Sequence, residues 1–296
     1  MTTSKGIDPI SKRTTGTGIS LRYLEWEGDG SPVLLLHGLT VCAEYWSLTA
    51  RLLAQKHRVV AVDLRGHGHS YKPDWGYDYQ TIAGDVVQLC REIGVEGALL
   101  AGHSWGAGVA LCLATSTPGI ASHLALVDGG FGGRRRAPDG QPPNYEQMMA
   151  PLEVYRSRET YLRAAGAGVK DVMNPEIEEI LMASVTVNSD GTISERLSRE
   201  NNVRILQVMR DLNASELYPT LQMPVLFAAA LSSSPDRQEA NDRKRESVGR
   251  ARELVRDGRV QWFPDTAHDI QIHRPKELTQ GLEELLSVGR GMPFPQ

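Results

Sequence analysis

Short apolar runs alternate with segments of helical spacing along most of the chain. Residues 19–26 follow a period of two, which predicts a half-exposed edge strand. Six further segments are apolar almost throughout, as expected for strands covered on both faces: residues 32–36, 58–63, 98–101, 122–127, 224–228 and 259–263. Amphipathic helices are predicted over residues 82–93 and from Pro275 onward. Strands that alternate with helices predict an α/β domain with a mostly parallel sheet and helices on both faces.

The segment 131–221 interrupts this alternation. It contains no convincing strand, and it is too long and too structured for a loop. Helical stretches are predicted in it at residues 145–156, 158–165, 175–185 and 195–212. We therefore expect a helical cap over residues 131–221, inserted into a core formed by residues 19–130 and 222–290. Residues 1–18 are rich in Thr, Ser and Gly, and they are expected to form a flexible tail.

The most specific chemical signal lies directly after the apolar run 98–101. Ser104 stands between Gly102 and Gly106, and a helical segment of small residues follows. A G-x-S-x-G sequence between a strand and a helix is typical of a nucleophile elbow, whereas the same residues without that context are usually a glycine-rich turn. The glycines let strand and helix pass closely, and the helix N-terminus favours developing negative charge. Ser104 is therefore the predicted nucleophile.

Three other segments extend this pattern: His37-Gly38 after a buried strand, residues 63–70, and residues 264–268. With the Ser104 segment, they make the chain resemble the α/β-hydrolase superfamily over nearly its whole length, in a serine-nucleophile branch similar to esterases and lactonases. The resemblance implies the α/β-hydrolase fold: a mostly parallel eight-stranded sheet with helices on both faces and an inserted helical cap.

A serine hydroxyl needs a neighbouring base, and histidine has a suitable pKa. The chain has eight histidines. In this fold the catalytic histidine follows the serine and the acid along the chain, and His268 lies on the short loop after the last predicted strand. His37 is expected to shape its loop, His67 and His69 to be structural, and His103 to point away from Ser104.

The acid has two alternatives. In the family it usually follows the strand at residues 225–228, but serines stand there, and Asp236 comes a few residues late. Asp128 ends the preceding core strand, where some branches of the family place the acid. Asp128 is preferred and Asp236 is the alternative, although an Asp-Gly pair is also a common turn. The backbone N–H groups of Leu39 and Trp105 are expected to form the oxyanion hole.

Composition narrows the class of protein. An apolar fraction of 41%, a charged fraction of 23% and a net charge of -4 are typical of a soluble globular protein, with no sign of nucleic-acid binding. No membrane span or secretory signal is expected, and three widely spaced cysteines favour a reducing cytoplasm over disulfides or zinc. Neither a metal nor an organic cofactor is implied. The oligomeric state, including a homodimer, is left open.

These features favour a serine hydrolase that cleaves a small-molecule carboxylic ester or lactone through an acyl-enzyme. Ser104 argues against epoxide hydrolases and haloalkane dehalogenases, which have an aspartate nucleophile at this position. The Ser104-Trp105 pair resembles proline iminopeptidases, so amide or peptide hydrolysis is one alternative. A carbon–carbon bond hydrolase, a perhydrolase and a low-turnover ligand-binding sensor of the same fold are the others.

Overall fold

A computed structural model describes residues 8–16, 18–132 and 155–288. The strands are β1 Ile10–Arg13, β2 Arg22–Trp26, β3 Gly30–Leu36, β4 His57–Val62, β5 Ala98–His103, β6 Ala121–Val127, β7 Val185–Val187, β8 Ile193–Glu195, β9 Val225–Ala230 and β10 Gly258–Phe263. The helices are α1 Ser47–Leu53, α2 Tyr79–Ile93, α3 Trp105–Ser116, α4 Arg158–Ala165, α5 Pro175–Met182, α6 Arg199–Asp211, α7 Ala214–Leu217, α8 Gln238–Leu254, α9 Ile270–His273 and α10 Pro275–Ser287.

Eight strands form one sheet in the order β1-β2-β4-β3-β5-β6-β9-β10. The strand β2 is antiparallel to both of its neighbours, and every other pairing is parallel. Each of the six continuously apolar segments forms a strand of this sheet, with bounds within two residues of the prediction. The predicted fold class, a mostly parallel eight-stranded sheet with helices on both faces, is confirmed.

Side chains that alternate along the central strands build a separate core on each face of the sheet. Leu34 and Leu36 of β3 belong to the cluster that packs against α2 and α3. Val33 and Leu35 belong to the cluster that contains residues of α1 and α10. Because both faces are covered, the central strands are apolar throughout. Polar side chains can come together instead on the loops at the carboxyl ends of these strands.

The N-terminal part of the sheet differs from the sequence prediction. Residues 10–13 were predicted to belong to a flexible tail. They form β1, which pairs antiparallel with β2 and sets Ile10 opposite Glu25. The predicted edge strand is therefore covered on its outer side, and β2 is buried along its whole length instead of half-exposed. The ion pair Lys12–Glu25, at 2.6 Å, ties the two strands together.

Residues 155–221, called the inserted segment below, lie between β6 and β9. Helices α4, α5 and α6 are found where helices were predicted, but α6 begins only after Ser198, whose side chain accepts the Asn201 N–H. The expectation of no strand was wrong, because β7 and β8 form a short antiparallel hairpin. The predicted helix 145–156 lies outside the described residues except for Tyr155 and Arg156, which are not helical.

The inserted segment has its own hydrophobic cluster, which includes Tyr161, Ile177 and Ile193. Tyr45, which lies between β3 and α1, and Ile272 of α9 also belong to this cluster, so the inserted segment packs on the parts of the core that follow β3 and β10. Within the described part of the chain, no helix has the length and apolar character needed to cross a membrane.

Candidate active site

Ser104 occupies a sharp turn between β5 and α3. Its backbone has φ 55° and ψ -117°, in the left-handed half of conformational space that L-residues rarely adopt. A Cβ on Gly102 would lie 2.2 Å from the Gly106 carbonyl oxygen, and one on Gly106 would lie 2.3 Å from the His37 carbonyl oxygen. Strand, helix and neighbouring loop therefore pass too closely for any residue but glycine on either side of the serine.

His268 and Asp128 meet Ser104 through a continuous chain of hydrogen bonds. His268 Nε2 is 2.8 Å from Ser104 Oγ, and His268 Nδ1 is 2.6 Å from Asp128 Oδ2. The three residues come from three different loops, after β5, β6 and β10. An imidazole held this way has a protonated Nδ1 and an Nε2 free to accept the serine proton.

The Asp128 carboxylate is almost completely buried, with a side-chain exposure of 2%. Its Oδ1 accepts hydrogen bonds from the Ala230 N–H at 2.9 Å and from Lys244 Nζ at 2.7 Å. Burial acts to raise the pKa of Asp128, but the His268 hydrogen bond and the Lys244 charge outweigh it and hold the pKa below its ordinary value. Asp128 is therefore a carboxylate at neutral pH.

Opposing charges act on His268. Desolvation acts to lower the pKa of the imidazole, whereas the hydrogen bond and charge of Asp128, with the charge of Asp269, raise it. Lys244 acts in the lowering direction. The net result is a pKa above the ordinary 6.5, as suits a base that must hold a proton briefly.

The loop after β3 passes directly beside the serine. A Cβ on Gly38, the residue before Leu39, would lie 3.2 Å from Ser104 Cβ. His37 fixes this loop because its Nδ1–H donates to the Gly38 carbonyl at 2.7 Å and its Nε2 accepts the Leu64 N–H at 3.0 Å. Trp105 is the first residue of α3, so its N–H has no acceptor inside the helix.

Residues 33–280 match the sequence profile described as the alpha/beta hydrolase family, which covers most of the chain. The chain belongs to this family.

Two curated relatives match part of this chain. A non-heme chloroperoxidase of Streptomyces lividans is 38% identical over 117 residues, which are 38% of the chain and 42% of that protein. A soluble epoxide hydrolase of Corynebacterium sp. (strain C12) is 37% identical over 111 residues, 38% of the chain and 38% of that protein. The chain therefore aligns with less than half the length of either relative.

Among solved structures, E-2-(acetamidomethylene)succinate hydrolase superposes with a TM-score of 0.77. The superposition covers 94% of this chain and 99% of the other, at 21% sequence identity. The superposition shows that the two share a fold, and at this identity it shows nothing further. The substrate has to be argued from the site itself.

Three further histidines, His37, His67 and His103, surround the candidate site, and all three are buried. His67 stacks on Trp105 with ring centroids 5.0 Å apart, and His103 Nε2 donates to the His268 carbonyl oxygen at 3.0 Å instead of facing Ser104. Burial lowers the pKa of His37 and His67, and it lowers that of His103 to about 3. All three are therefore neutral, and their contacts support the loops around Ser104 and His268.

The alternative acid does not meet the histidine. Asp236 lies in the exposed turn Pro235–Arg237 and accepts a hydrogen bond from the Ser234 hydroxyl. The structure thus brings Asp128, and not Asp236, to Nδ1 of His268.

One group of residues in the described part of the chain has metal-ligand chemistry: Cys42, Glu44 and Asp63, whose ligand atoms lie within 4.8 Å of one another. The Arg22 guanidinium already pairs with both carboxylates, at 2.7 Å to Glu44 and 3.2 Å to Asp63. Burial raises the pKa of the Cys42 thiol well above its ordinary value, so the thiolate that a metal needs is absent at neutral pH. Asp63 also accepts the Ala43 N–H at 2.8 Å, which makes this cluster a support for the loop after β3.

Sequence reasoning missed Lys244, which contacts the candidate acid from α8. It stands in the run Arg243-Lys244-Arg245 on a highly charged helix, where the two arginines pair with Glu239 and Asp242 on the surface. Nothing in the local sequence distinguishes the lysine that turns inward. Only the packing of α8 beside β9 and β10 reveals it.

Proposed function

We propose that this protein is a serine hydrolase that cleaves a carboxylic ester or lactone through an acyl-enzyme. The observation that carries the proposal is the hydrogen-bonded chain from Ser104 Oγ through the His268 imidazole to the Asp128 carboxylate, with links of 2.8 Å and 2.6 Å. This constellation is recognised by geometry and role, whatever the chain order of its members.

Each residue has one role in the proposed reaction. Ser104 Oγ attacks the substrate carbonyl carbon while His268 Nε2 takes the hydroxyl proton, and Asp128 stabilises the imidazolium that forms. His268 then gives that proton to the departing alkoxide oxygen, which leaves an ester between Ser104 and the acyl group. A water molecule, deprotonated by the same imidazole, attacks this ester and restores the serine.

Two backbone N–H groups, from Leu39 and Trp105, are proposed to bind the oxyanion of the tetrahedral intermediate. The closeness of the Gly38 position to Ser104 Cβ and the place of Trp105 at the start of α3 support this assignment. Fixed donors of this kind need no reorganisation as charge develops, and loss of one costs about 3 kcal/mol in a comparable enzyme.

Ser104, the residue at the nucleophile position, distinguishes the proposed reaction from other reactions catalysed by proteins of this fold. The Corynebacterium relative is named as an epoxide hydrolase, and the epoxide hydrolase branch uses an aspartate nucleophile where this chain has Ser104. Serine with a histidine base favours acyl transfer. The alternative of a low-turnover sensor rests on the missing acid after β9, and the contact of Asp128 with His268 supports an enzyme instead.

We further propose that residues 131–221 form a cap that shapes the substrate pocket. In support, the inserted segment reaches the loop of the candidate base: a Cβ on Gly168 would lie 3.2 Å from Ala267 Cβ, one residue before His268. The cap would select among esters, lactones and amides.

The test is labelling with a fluorophosphonate probe, located by peptide mass spectrometry, in the native and the heat-denatured protein. A stoichiometric adduct on Ser104 in the native protein alone is expected, and Ser104→Ala should abolish it. Turnover of a panel of esters, lactones and amides then defines the bond that is cleaved. A native protein that is not labelled and hydrolyses none of them would overturn the proposal.

A further inference from the structure

Lys244 contacts both carboxylate oxygens of Asp128, the buried acid of the candidate site. We propose that Lys244 is a positioning residue: it fixes the Asp128 carboxylate in the orientation that His268 needs, and its positive charge limits how tightly the Asp128–His268 pair holds a proton. The effect of Lys244 on the reaction rests on the proposed function, whereas its contacts with Asp128 do not depend on it.

The Lys244 ammonium makes three short contacts at this place. Its Nζ lies 2.7 Å from Asp128 Oδ1 and 3.0 Å from Asp128 Oδ2, and it donates to the Ala230 carbonyl oxygen at 2.9 Å. The same Ala230 donates its backbone N–H to Asp128 Oδ1. Lys244 and the end of β9 therefore hold Oδ1, and Oδ2 accepts the His268 Nδ1–H together with the longer contact from Lys244.

Burial explains why this contact has consequences. The Asp128 side chain is 2% exposed and that of Lys244 is 30% exposed, so the ion pair is largely out of water. Removing one partner of such a pair leaves the other charge uncompensated, and Asp128 would then bind the imidazolium more strongly. A surface ion pair in the same geometry would be screened and worth little.

The charged and titratable groups that face His268 among the described residues are Asp128, Asp269, Lys244 and the neutral His103. Two carboxylates therefore act to keep the imidazole protonated, and one ammonium opposes them. Without the ammonium, His268 should release its proton only at higher pH. The free base would then be scarcer at neutral pH, and the attack by Ser104 would be slower.

The experiment compares Lys244→Met with wild type by two readouts: the pH dependence of fluorophosphonate labelling of Ser104, and the NMR titration of the His268 imidazole. Both midpoints should rise by roughly one pH unit, from the loss of one charge in a partly desolvated site. Lys244→Arg should keep the wild-type midpoint, because it keeps the charge. Arg245→Met, one residue along on the exposed side of α8, is the matched control and should change nothing.

A His268 titration midpoint that is unchanged in Lys244→Met overturns the inference, even if the variant is less stable or reacts more slowly. Lys244→Gln, which removes the charge and keeps a donor, gives the same comparison if the methionine variant does not fold. Because the NMR titration does not depend on turnover, the role of Lys244 and the proposed function can be overturned independently of each other. A wild type that is never labelled, with a midpoint that still depends on Lys244, overturns the proposed function alone.

Discussion

Backbone strain in the described residues is concentrated around the candidate site. The non-glycine residues with positive φ there are Thr40, Ser104, Asp128 and Asp265. Two are the candidate nucleophile and acid, Thr40 follows Leu39, and Asp265 lies on the loop of His268. Each such conformation costs on the order of 1–3 kcal/mol and persists only where the surroundings enforce it. The sheet and its two cores supply that enforcement.

Replacement of Asp128 by Asn should lower kcat for an ester by a factor of about 10⁴, the loss seen in a serine protease when the same change stabilises the wrong imidazole tautomer. The matched control is Asp236→Asn, in an exposed turn without contact to His268, and its kcat should equal that of wild type. Steady-state kinetics of both variants checks this. A loss in the Asp236 variant alone would assign the acid to Asp236.

The pH dependence of kcat/KM should have an acid limb with its midpoint above pH 6.5. His268 acts as a base only when neutral, and its pKa is raised above 6.5 because Asp128 and Asp269 outweigh desolvation and Lys244. Activity should therefore be low below this pKa and rise as pH increases through it. A midpoint under 6.5, in wild type, would contradict the charge balance described for the site.

Single residues of the candidate site were predicted from chain order and local context. Ser104 sits between glycines in a strand–turn–helix, and His268 follows the last strand. The structure brings their side chains within 2.8 Å, and their catalytic roles stay predictions. The position of Asp128 at the end of a core strand favours it over Asp236, and its side chain contacts His268. Lys244 could not be found this way, because its contact depends on the rotation of α8 against the sheet.

At the scale of elements, the turn from β5 into α3 gives a steric test. Gly102→Ala should destabilise the protein by roughly 1–3 kcal/mol and slow labelling of Ser104, because the new Cβ would lie 2.2 Å from backbone oxygen of Gly106. Gly84→Ala in α2 is the matched control, since a Cβ there has no atom within 4 Å and should stabilise by about 0.5–1 kcal/mol. Urea denaturation measures both, and equal effects would contradict the close approach.

The apolar strands were predictable because burial on both faces demands uninterrupted hydrophobic runs. Helix α8 was not, since only Asn241, Val248 and Ala251 of its 17 residues are buried and no apolar stripe marks it. The strands β1, β7 and β8 are each three or four residues long, which is too short for the two-residue alternation of a strand to be recognised. Their pairing partners, and not their own sequences, define them.

For the whole molecule, the free energy of unfolding should fall as pH drops below about 4.5. Burial acts to raise the pKa values of Glu25, Glu44 and Asp128, but their cationic partners outweigh it and hold all three below their ordinary values. The unfolded chain then binds more protons in acid, so this stabilisation is present above the unfolded pKa values and is lost as pH falls through the folded ones.

Urea denaturation at several pH values checks this, with Glu25→Gln as the comparison. Removing the carboxylate that Lys12 and Arg58 bind should lower stability at neutral pH and flatten its decline in acid. Stability that is independent of pH in wild type would contradict the assignment.

The inserted segment and the loop of the candidate base are joined by His273. Its Nδ1 accepts the Ala267 N–H at 2.8 Å, so Nε2 carries the proton, which it donates to Asp171 of the inserted segment at 3.0 Å. A separate ion pair at 2.6 Å, between Arg51 of α1 and Glu176 of α5, joins the inserted segment to the core. A displacement of the inserted segment would therefore be transmitted to the backbone beside His268.

The three members of the candidate site are anchored very unequally. Ser104 and Asp128 end two neighbouring central strands, joined where the Ser104 N–H donates to the Val127 carbonyl, so separating them means breaking the middle of the sheet. His268 lies on a half-exposed loop after the outermost strand, where local opening is far less costly. On gentle warming the loop that carries His268 should open before the sheet unfolds. Activity should therefore be lost while the molecule is still folded, and it should return on cooling as the loop closes.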